Sequence, residues 1–400
     1  MQKLFKFNLK LLAKVVLALT LGQVNQVMAA DDWHWHGFVA QGLMQAKDSN
    51  FVNNDGEVSA ELTEFGLNSA WQLNPSFRLA GQLMYLDGGN RYQQGLRIDY
   101  LFLNWTAINT LDWQVDLYAG RYKNVHWLYS STRDVAITRP MIVLPQSVYF
   151  DSFRDIAVGS DGVALQSTYS SSLGEIDFNW SVGATPTPRE QSQRIISTMI
   201  SGVTQQDFVH QFSSFFRPVG AKSQWGVSLL DSDFNYRRAM NDIFADGDFT
   251  VQRVMLNWRY SEENWELSSE MYQERVSVYG FYAPGVQRTQ FGHGAYLMAR
   301  YNLTASTTLY ASYDYFYGNK DDKSGRLLPV QTGGLIADYF GYQRDTALSL
   351  NHNFSQNWRA TLEYHWTVGT GRLGPNVVPD TMVNKSKYHQ LWAVQLMYWF

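Results

Sequence analysis

The chain has 400 residues, no cysteine, 15% aromatic residues and a formal net charge of −4. The lack of cysteine removes disulfides and thiolate metal sites, and the mildly acidic balance argues against nucleic acid as a partner. With 24 Tyr and 14 Trp, the composition suits a lipid–water interface, where a ring with a polar edge fits the headgroup layer.

The amino terminus reads as an export signal. Lys3, Lys6, Lys10 and Lys14 give a basic start, residues 15–21 a short apolar run, and Val27-Met28-Ala29 small residues suited to cleavage before Ala30 or Asp31. A membrane-spanning helix needs ~20 apolar residues, and Lys14 interrupts this run. Cleavage after residue 29 removes four lysines and no acid, so the formal charge moves from −4 to −8 and about 371 residues remain.

The rest alternates between short turns and long polar loops. Short connections fall at residues 74–76, 107–112, 170–174, 217–223, 261–264, 302–307 and 355–357. After five of these an aromatic opens the next segment: Phe77, Trp113, Trp225, Trp265 and Trp358. That recurrence predicts a ring of aromatics at one boundary. Between the turns, side chains alternate with the period of a strand. Phe77, Leu79, Gly81, Leu83 and Tyr85 oppose Arg78, Ala80, Gln82 and Met84; Val254, Leu256, Trp258 and Tyr260 oppose Arg253, Met255, Asn257 and Arg259. Ile176, Phe178, Trp180 and Val182 oppose Asp177, Asn179, Ser181 and Gly183, and Trp358, Ala360, Leu362, Tyr364 and Trp366 oppose Arg359, Thr361, Glu363 and His365. Apolar out and polar in over ~10 residues is the pattern of a membrane barrel with a wet lumen. A soluble sandwich shares the period, but this many aromatics would overfill its single core.

The pattern predicts an all-β chain: a transmembrane antiparallel β-barrel of sixteen strands at 33–45, 57–73, 77–86, 96–106, 113–122, 162–170, 175–185, 207–217, 225–237, 251–260, 265–278, 294–303, 308–317, 343–354, 358–368 and 389–400. The stretch from Phe208 to Phe216 is irregular; without that hairpin the count is fourteen. An even count puts both termini on the short-turn side. Sixteen strands leave room for an aqueous channel.

The connection at residues 123–162 is about forty residues long, and an irregular loop of that length is usually functional. It mixes the apolar run Ile142-Val143-Leu144 with Pro140, Pro145 and the charges Arg133, Asp134, Arg139, Asp151, Arg154 and Asp155. Such content suits a loop folded against an inner wall. At the carboxyl end, Trp392, Val394, Leu396, Tyr398 and Phe400 form one apolar stripe.

A terminal Phe preceded by alternating apolar residues resembles the assembly signal of Gram-negative outer-membrane β-barrels. In position and content the 123–162 loop resembles the third loop of porins, which folds inward and narrows the barrel. The chain lacks the Pro-Glu-Phe-Gly turn of the enterobacterial general porins, so the resemblance is to porins at large. It implies an outer-membrane channel for passive diffusion of small hydrophilic solutes or ions. The implied partners are outer-membrane lipids and lipopolysaccharide, a barrel-assembly machinery that reads the last strand, two further copies in a homotrimer, and no nucleic acid. No cofactor is implied.

On that reading Arg133, Arg139, Asp151, Arg154 and Asp155 line the constriction and set selectivity, since permeants are sorted by size and by the sign of the lining. Wall candidates are the inward positions Arg78, Arg97, Asp99, Asp116, Arg253, Arg300, Asp314, Arg359 and Glu363. On the lipid face an Arg costs about 2–4 kcal/mol at mid-depth. The pair His34 and His36 lacks a third ligand nearby and makes a poor metal site. Residues 53–57 and 319–325 are rich in oxygens but fit no calcium loop. A short helix fits residues 189–202. The alternative, an outer-membrane lipase or protease, anticipates ten or twelve strands with Ser-His or Asp-His pairs at the rim; His126, His210 and His293 lie near loops without a motif. A hydrophobic-substrate transporter anticipates an amino-terminal plug, for which residues 30–32 leave no room.

Overall fold

A computed structural model describes residues 33–154 and 159–400; the export signal and Asp155 lie outside the described residues. Sixteen strands close into one antiparallel barrel in which sequence neighbours pair and the first strand pairs with the last. They are β1 (Trp33–Lys47), β2 (Thr63–Asn74), β3 (Phe77–Asp87), β4 (Gly95–Asn109), β5 (Trp113–Lys123), β6 (Gly159–Ser171), β7 (Gly174–Ala184) and β8 (Val203–Pro218). They continue with β9 (Ser223–Arg237), β10 (Gly247–Ser261), β11 (Trp265–Tyr279), β12 (Gln287–Asn302), β13 (Thr307–Tyr317), β14 (Tyr342–Asn353), β15 (Trp358–Gly369) and β16 (Tyr388–Trp399). Two short helices, α1 (Arg189–Ile195) and α2 (Leu327–Gln331), lie in long loops.

The sixteen-strand reading holds, and β8 and β9 pair along their length. The irregularity near Phe208 is a register shift between Gln206 and Phe208. One extra residue reverses the alternation, so Gln206 and Val209 are both buried on the inner side. The second strand begins at Thr63, six residues later than the pattern predicts. The segment before it is held by its own side chains: Asn53 accepts from Gly56 N–H, Asp55 from Glu57 N–H and Ser59 from Glu61 N–H. Such local bonds compete with a strand ladder.

Period-two alternation sorts the two faces. Leu83, Leu96, Val254, Leu256 and Leu362 stand outward and exposed, while their neighbours Met84, Met255 and Glu363 are buried inside. The aromatic ring forms at the short-turn end. Phe77 stacks on Trp105, Trp113 meets Tyr169, Trp225 meets Trp258, and Trp358 meets Tyr398. Strand length varies: β8 to β12 have 15 or 16 residues and β1 and β4 have 15, whereas β3, β5, β7 and β13 have 11. On the outer face of the tall side, Gln252 bridges Asp231 and Arg275 at 3.1 Å each.

The seam joins β1 to β16, and Gly37 and Phe400 exchange backbone hydrogen bonds of 3.1 and 3.0 Å. Beside it, a Cβ on Gly42 would sit 2.4 Å from the Val394 carbonyl oxygen and 2.5 Å from Leu62 Cδ2. Overpacking of this kind costs about 1–3 kcal/mol. Gly42→Ala is therefore expected to convert from the compact, SDS-resistant form at a lower temperature than wild type, measured by heat-modifiable gel mobility.

Candidate functional site

The connection between β5 and β6 enters the barrel and packs on its inner wall. The sequence dictates this, because its apolar side chains have to leave water. Trp127, Tyr129, Met141, Leu144, Val148 and Tyr149 form one cluster with the wall residues Met255, Tyr272, Tyr296, Met298 and Ala347. Ile142 and Val143 join a second with Met44, Ala46, Leu391 and Ala393, and Ala136 a third with Phe38, Met84, Leu86 and Met397. The inner wall is thus dry along β1, β3, β10 to β12 and β16, where the polar-face alternation predicts a wet lumen.

Irregular backbone inside a barrel needs partners for its N–H groups, and buried wall carboxylates supply them. Glu363 accepts from Ile142 N–H at 2.7 Å and Val143 N–H at 2.8 Å. Asp314 accepts from Ser147 N–H at 3.1 Å, and Glu270 accepts from Leu128 N–H at 2.9 Å. Glu270 also takes the hydroxyls of Tyr149 and Tyr296. Across the barrel, Arg139 grips Glu64 through two bonds of 2.9 and 2.6 Å; both side chains are 3% exposed or less. Losing one partner of such a buried pair costs ~3–5 kcal/mol, because the other charge is left unpaired.

The remaining charges of the loop are also paired. Asp151 lies between Arg91 and Arg133, each at 2.7 Å. Asp134 takes Arg154 on one side and Lys123 on the other, and Lys123 reaches on to Asp99 at 2.6 Å. Burial alone would raise the Asp134 carboxyl, but Arg154 and Lys123 hold it well below the usual range; burial likewise opposes Asp151, whose carboxyl Arg91 and Arg133 lower. Arg154 lies over the Tyr92 ring at 4.3 Å. Arg133, Arg139, Asp151 and Arg154 are therefore buried structural charges of the loop, where the sequence predicts charges lining an open constriction. Asp155 lies outside the described residues.

The wall candidates divide. Asp314, Arg359 and Glu363 bond the loop directly, Arg359 through the Ile137 carbonyl at 2.8 Å. Arg253 pairs with Glu274 and lies over the Trp127 ring, and Asp99 joins the loop through Lys123. Arg97 donates to the Gln93 carbonyl, and Asp116 accepts from Asn104, Thr106 and Gln114 on the wall itself. Arg78 and Arg300 sit toward the short-turn ends of β3 and β12. Sequence reasoning missed Glu64, Glu270, Lys123, Arg91 and Tyr149. For Glu64 a signal existed, since an acid at an inward position beside Leu62 and Gly66 needs a partner. His34 and His36 are exposed on β1, and among the described residues no group of three or more His, Asp or Glu could hold a metal. The 189–202 segment is helical only over α1, and its end bonds the last long loop, Val378 N–H to the Ile196 carbonyl at 2.8 Å.

On the flank of β4 to β9 the inward side chains are mostly polar, and only the start of the loop is tethered there, Asn124 to Gln211 and His126 to Ser181 and Ser213. Two cavities lie there. One, of about 320 Å³ toward the short-turn end, is lined by Trp127, Leu128, Ser131, Gln166, Asn179 and Gln224 among others. The other, of about 270 Å³ toward the long-loop end, is lined by Arg97, Asp99, Lys123, Asp134, Arg154 and Ser160 among others.

No protein-family model and no curated protein matches the chain. Solved structures do. The outer-membrane channel DcaP of Acinetobacter baumannii aligns at TM-score 0.57 and 10% identity over 94% of this chain and 100% of its own. The fold is porin-like. An anion-selective porin from Comamonas acidovorans aligns at 0.55 and 10% identity, covering 92% and 99%. The trimer form of OmpT, an outer membrane protein of Vibrio cholerae, aligns at 0.55 and 11%, covering 92% and 99%.

At the start of the loop His126 is buried, with its ring nitrogens 3.0 Å from the Ser213 hydroxyl and 2.8 Å from that of Ser181. Burial pushes it down to about 3 from 6.5. The neutral ring therefore stabilises the loop's attachment above pH 6.5, and this contribution is lost as pH falls from 6.5 toward 3, where the unfolded form alone takes the proton. His126→Gln keeps both hydroxyl contacts without the proton. The difference between wild type and H126Q in protease protection of the loop is expected to grow over that window; a constant difference from pH 7 to pH 4 counts against this role.

Proposed function

We propose that the chain is a porin of the Gram-negative outer membrane, a water-filled path for passive diffusion of small hydrophilic solutes. The observation that carries this reading is a closed sixteen-strand barrel whose β5–β6 loop is folded inward and bonded to the wall. The path runs between that loop and the polar flank of β4 to β9, through the two cavities. Arg133, Arg139, Asp151 and Arg154 act as constriction residues through the shape they give the loop, and Arg97, Asp99 and Asp116 lie on the wall of the route.

Residues 1–29 serve as the export signal, and the apolar stripe of β16 is what the assembly machinery reads. The apolar outer wall meets lipid and, at its outer rim, lipopolysaccharide. The working form is a homotrimer, in keeping with the trimer form of OmpT. The enzyme alternative is weaker: sixteen strands exceed the ten or twelve it anticipates. His126, within the inward loop, holds serines on both nitrogens in a buried structural role.

Purified protein in a planar bilayer is expected to give stepwise conductance; its absence from correctly folded protein sinks the proposal. Glu363→Ala leaves the Ile142 and Val143 N–H groups buried without an acceptor, at about 1–3 kcal/mol each. The tip of the loop should then detach. Single-channel current in E363A is expected to rise and grow noisier, and an unchanged current would remove the loop from the path.

A further inference from the structure

We propose that the cavity near the short-turn end is a binding site for a neutral, polyhydroxylated solute of monosaccharide size. This rests on the channel reading and names what the path favours.

The two charged side chains of its lining are each paired. Asp177, at its edge, is bonded by Arg217 at 2.5 Å and by the Thr168 hydroxyl at 2.8 Å. Arg259 lies over the Tyr129 ring at 5.5 Å with Glu266 3.7 Å away. What faces the space instead is neutral hydrogen-bonding capacity. The side chains of Gln166, Gln224 and Ser131 border the cavity and have no side-chain hydrogen bond among the described residues. Asn179 gives its amide N–H to Ser213 at 3.2 Å, which leaves its carbonyl oxygen uncommitted.

A carboxamide both donates and accepts, and so does a hydroxyl, so a ring of carboxamides matches a solute carrying several hydroxyls. An ion would find the two charges of the lining, Asp177 and Arg259, already countered by Arg217 and Glu266. Trp127 and Phe215 close the cavity with apolar surface, suited to the C–H faces of a sugar ring. The volume of about 320 Å³ holds roughly ten waters at ~30 Å³ each, at the small end of ligand sites.

The test is single-channel recording in potassium chloride with added D-glucose, and with D-glucuronate as a charged analogue of equal size. Wild type is expected to show saturable reduction of current by glucose, with glucuronate at least tenfold weaker. Combined Gln166→Leu and Gln224→Leu should raise the half-blocking glucose concentration at least tenfold. If that variant does not insert, Gln224→Asn alone should raise it about threefold. A conducting channel with no saturable glucose effect, an equal effect of glucuronate, or variants blocked like wild type overturns this site and leaves the porin reading standing. Absence of any conductance overturns both.

Discussion

Everything inside this barrel depends on which face each strand residue takes. A sheet closed on itself has no edge along which to slide, and a slip of one residue would exchange the two faces. Glu64, Glu270, Asp314 and Glu363 would then point toward lipid, and Leu83, Leu256 and Leu362 into the lumen. Register is therefore enforced twice, by the apolar outer belt and by the carboxylates that receive the loop.

Those carboxylates do a job that water does in most loops. About thirty residues of irregular backbone sit within the lumen, and they stay there because three dry clusters and a set of buried acceptors compensate for lost hydration. The charges of the loop serve the same end. Paired as Arg139 with Glu64, Arg91 and Arg133 with Asp151, and Lys123 and Arg154 with Asp134, they fix its shape more than they colour its surface. The packing is lateral: the body of the loop lies against one side of the barrel, and only its first residues are bonded to the carboxamide- and hydroxyl-rich side.

Much of the fold was legible in the amino-acid order, because strand alternation and turn chemistry are local. The seven short turns and the aromatic after most of them located the strands and the girdle. The bulge at Asp207 was visible only as irregularity, since one inserted residue breaks the period without saying where the ladder resumes. The site was less legible. The charges of the 123–162 loop were identifiable by type, but burial and pairing are long-range: Arg139 meets Glu64 across 75 positions and Ile142 meets Glu363 across 221. The dry inner wall did leave a trace. Met255 stands between Arg253 and Asn257 on the inward face, and Leu391 and Met397 lie beside His389 and Gln395 on the last strand, where a wholly wet lumen would favour hydrophilic side chains.

The uneven strand lengths carry a consequence of their own. Four or five extra residues, at ~3.3 Å each and tilted ~40°, lift the wall of β8 to β12 by about 10 Å over the strands β7 and β13 that flank it. Asp231, Gln252 and Arg275 link hands across the outside of that wall, where hydrocarbon would be a hostile neighbour. The rim is thus notched: five adjoining strands rise as one wetted parapet between two shorter ones.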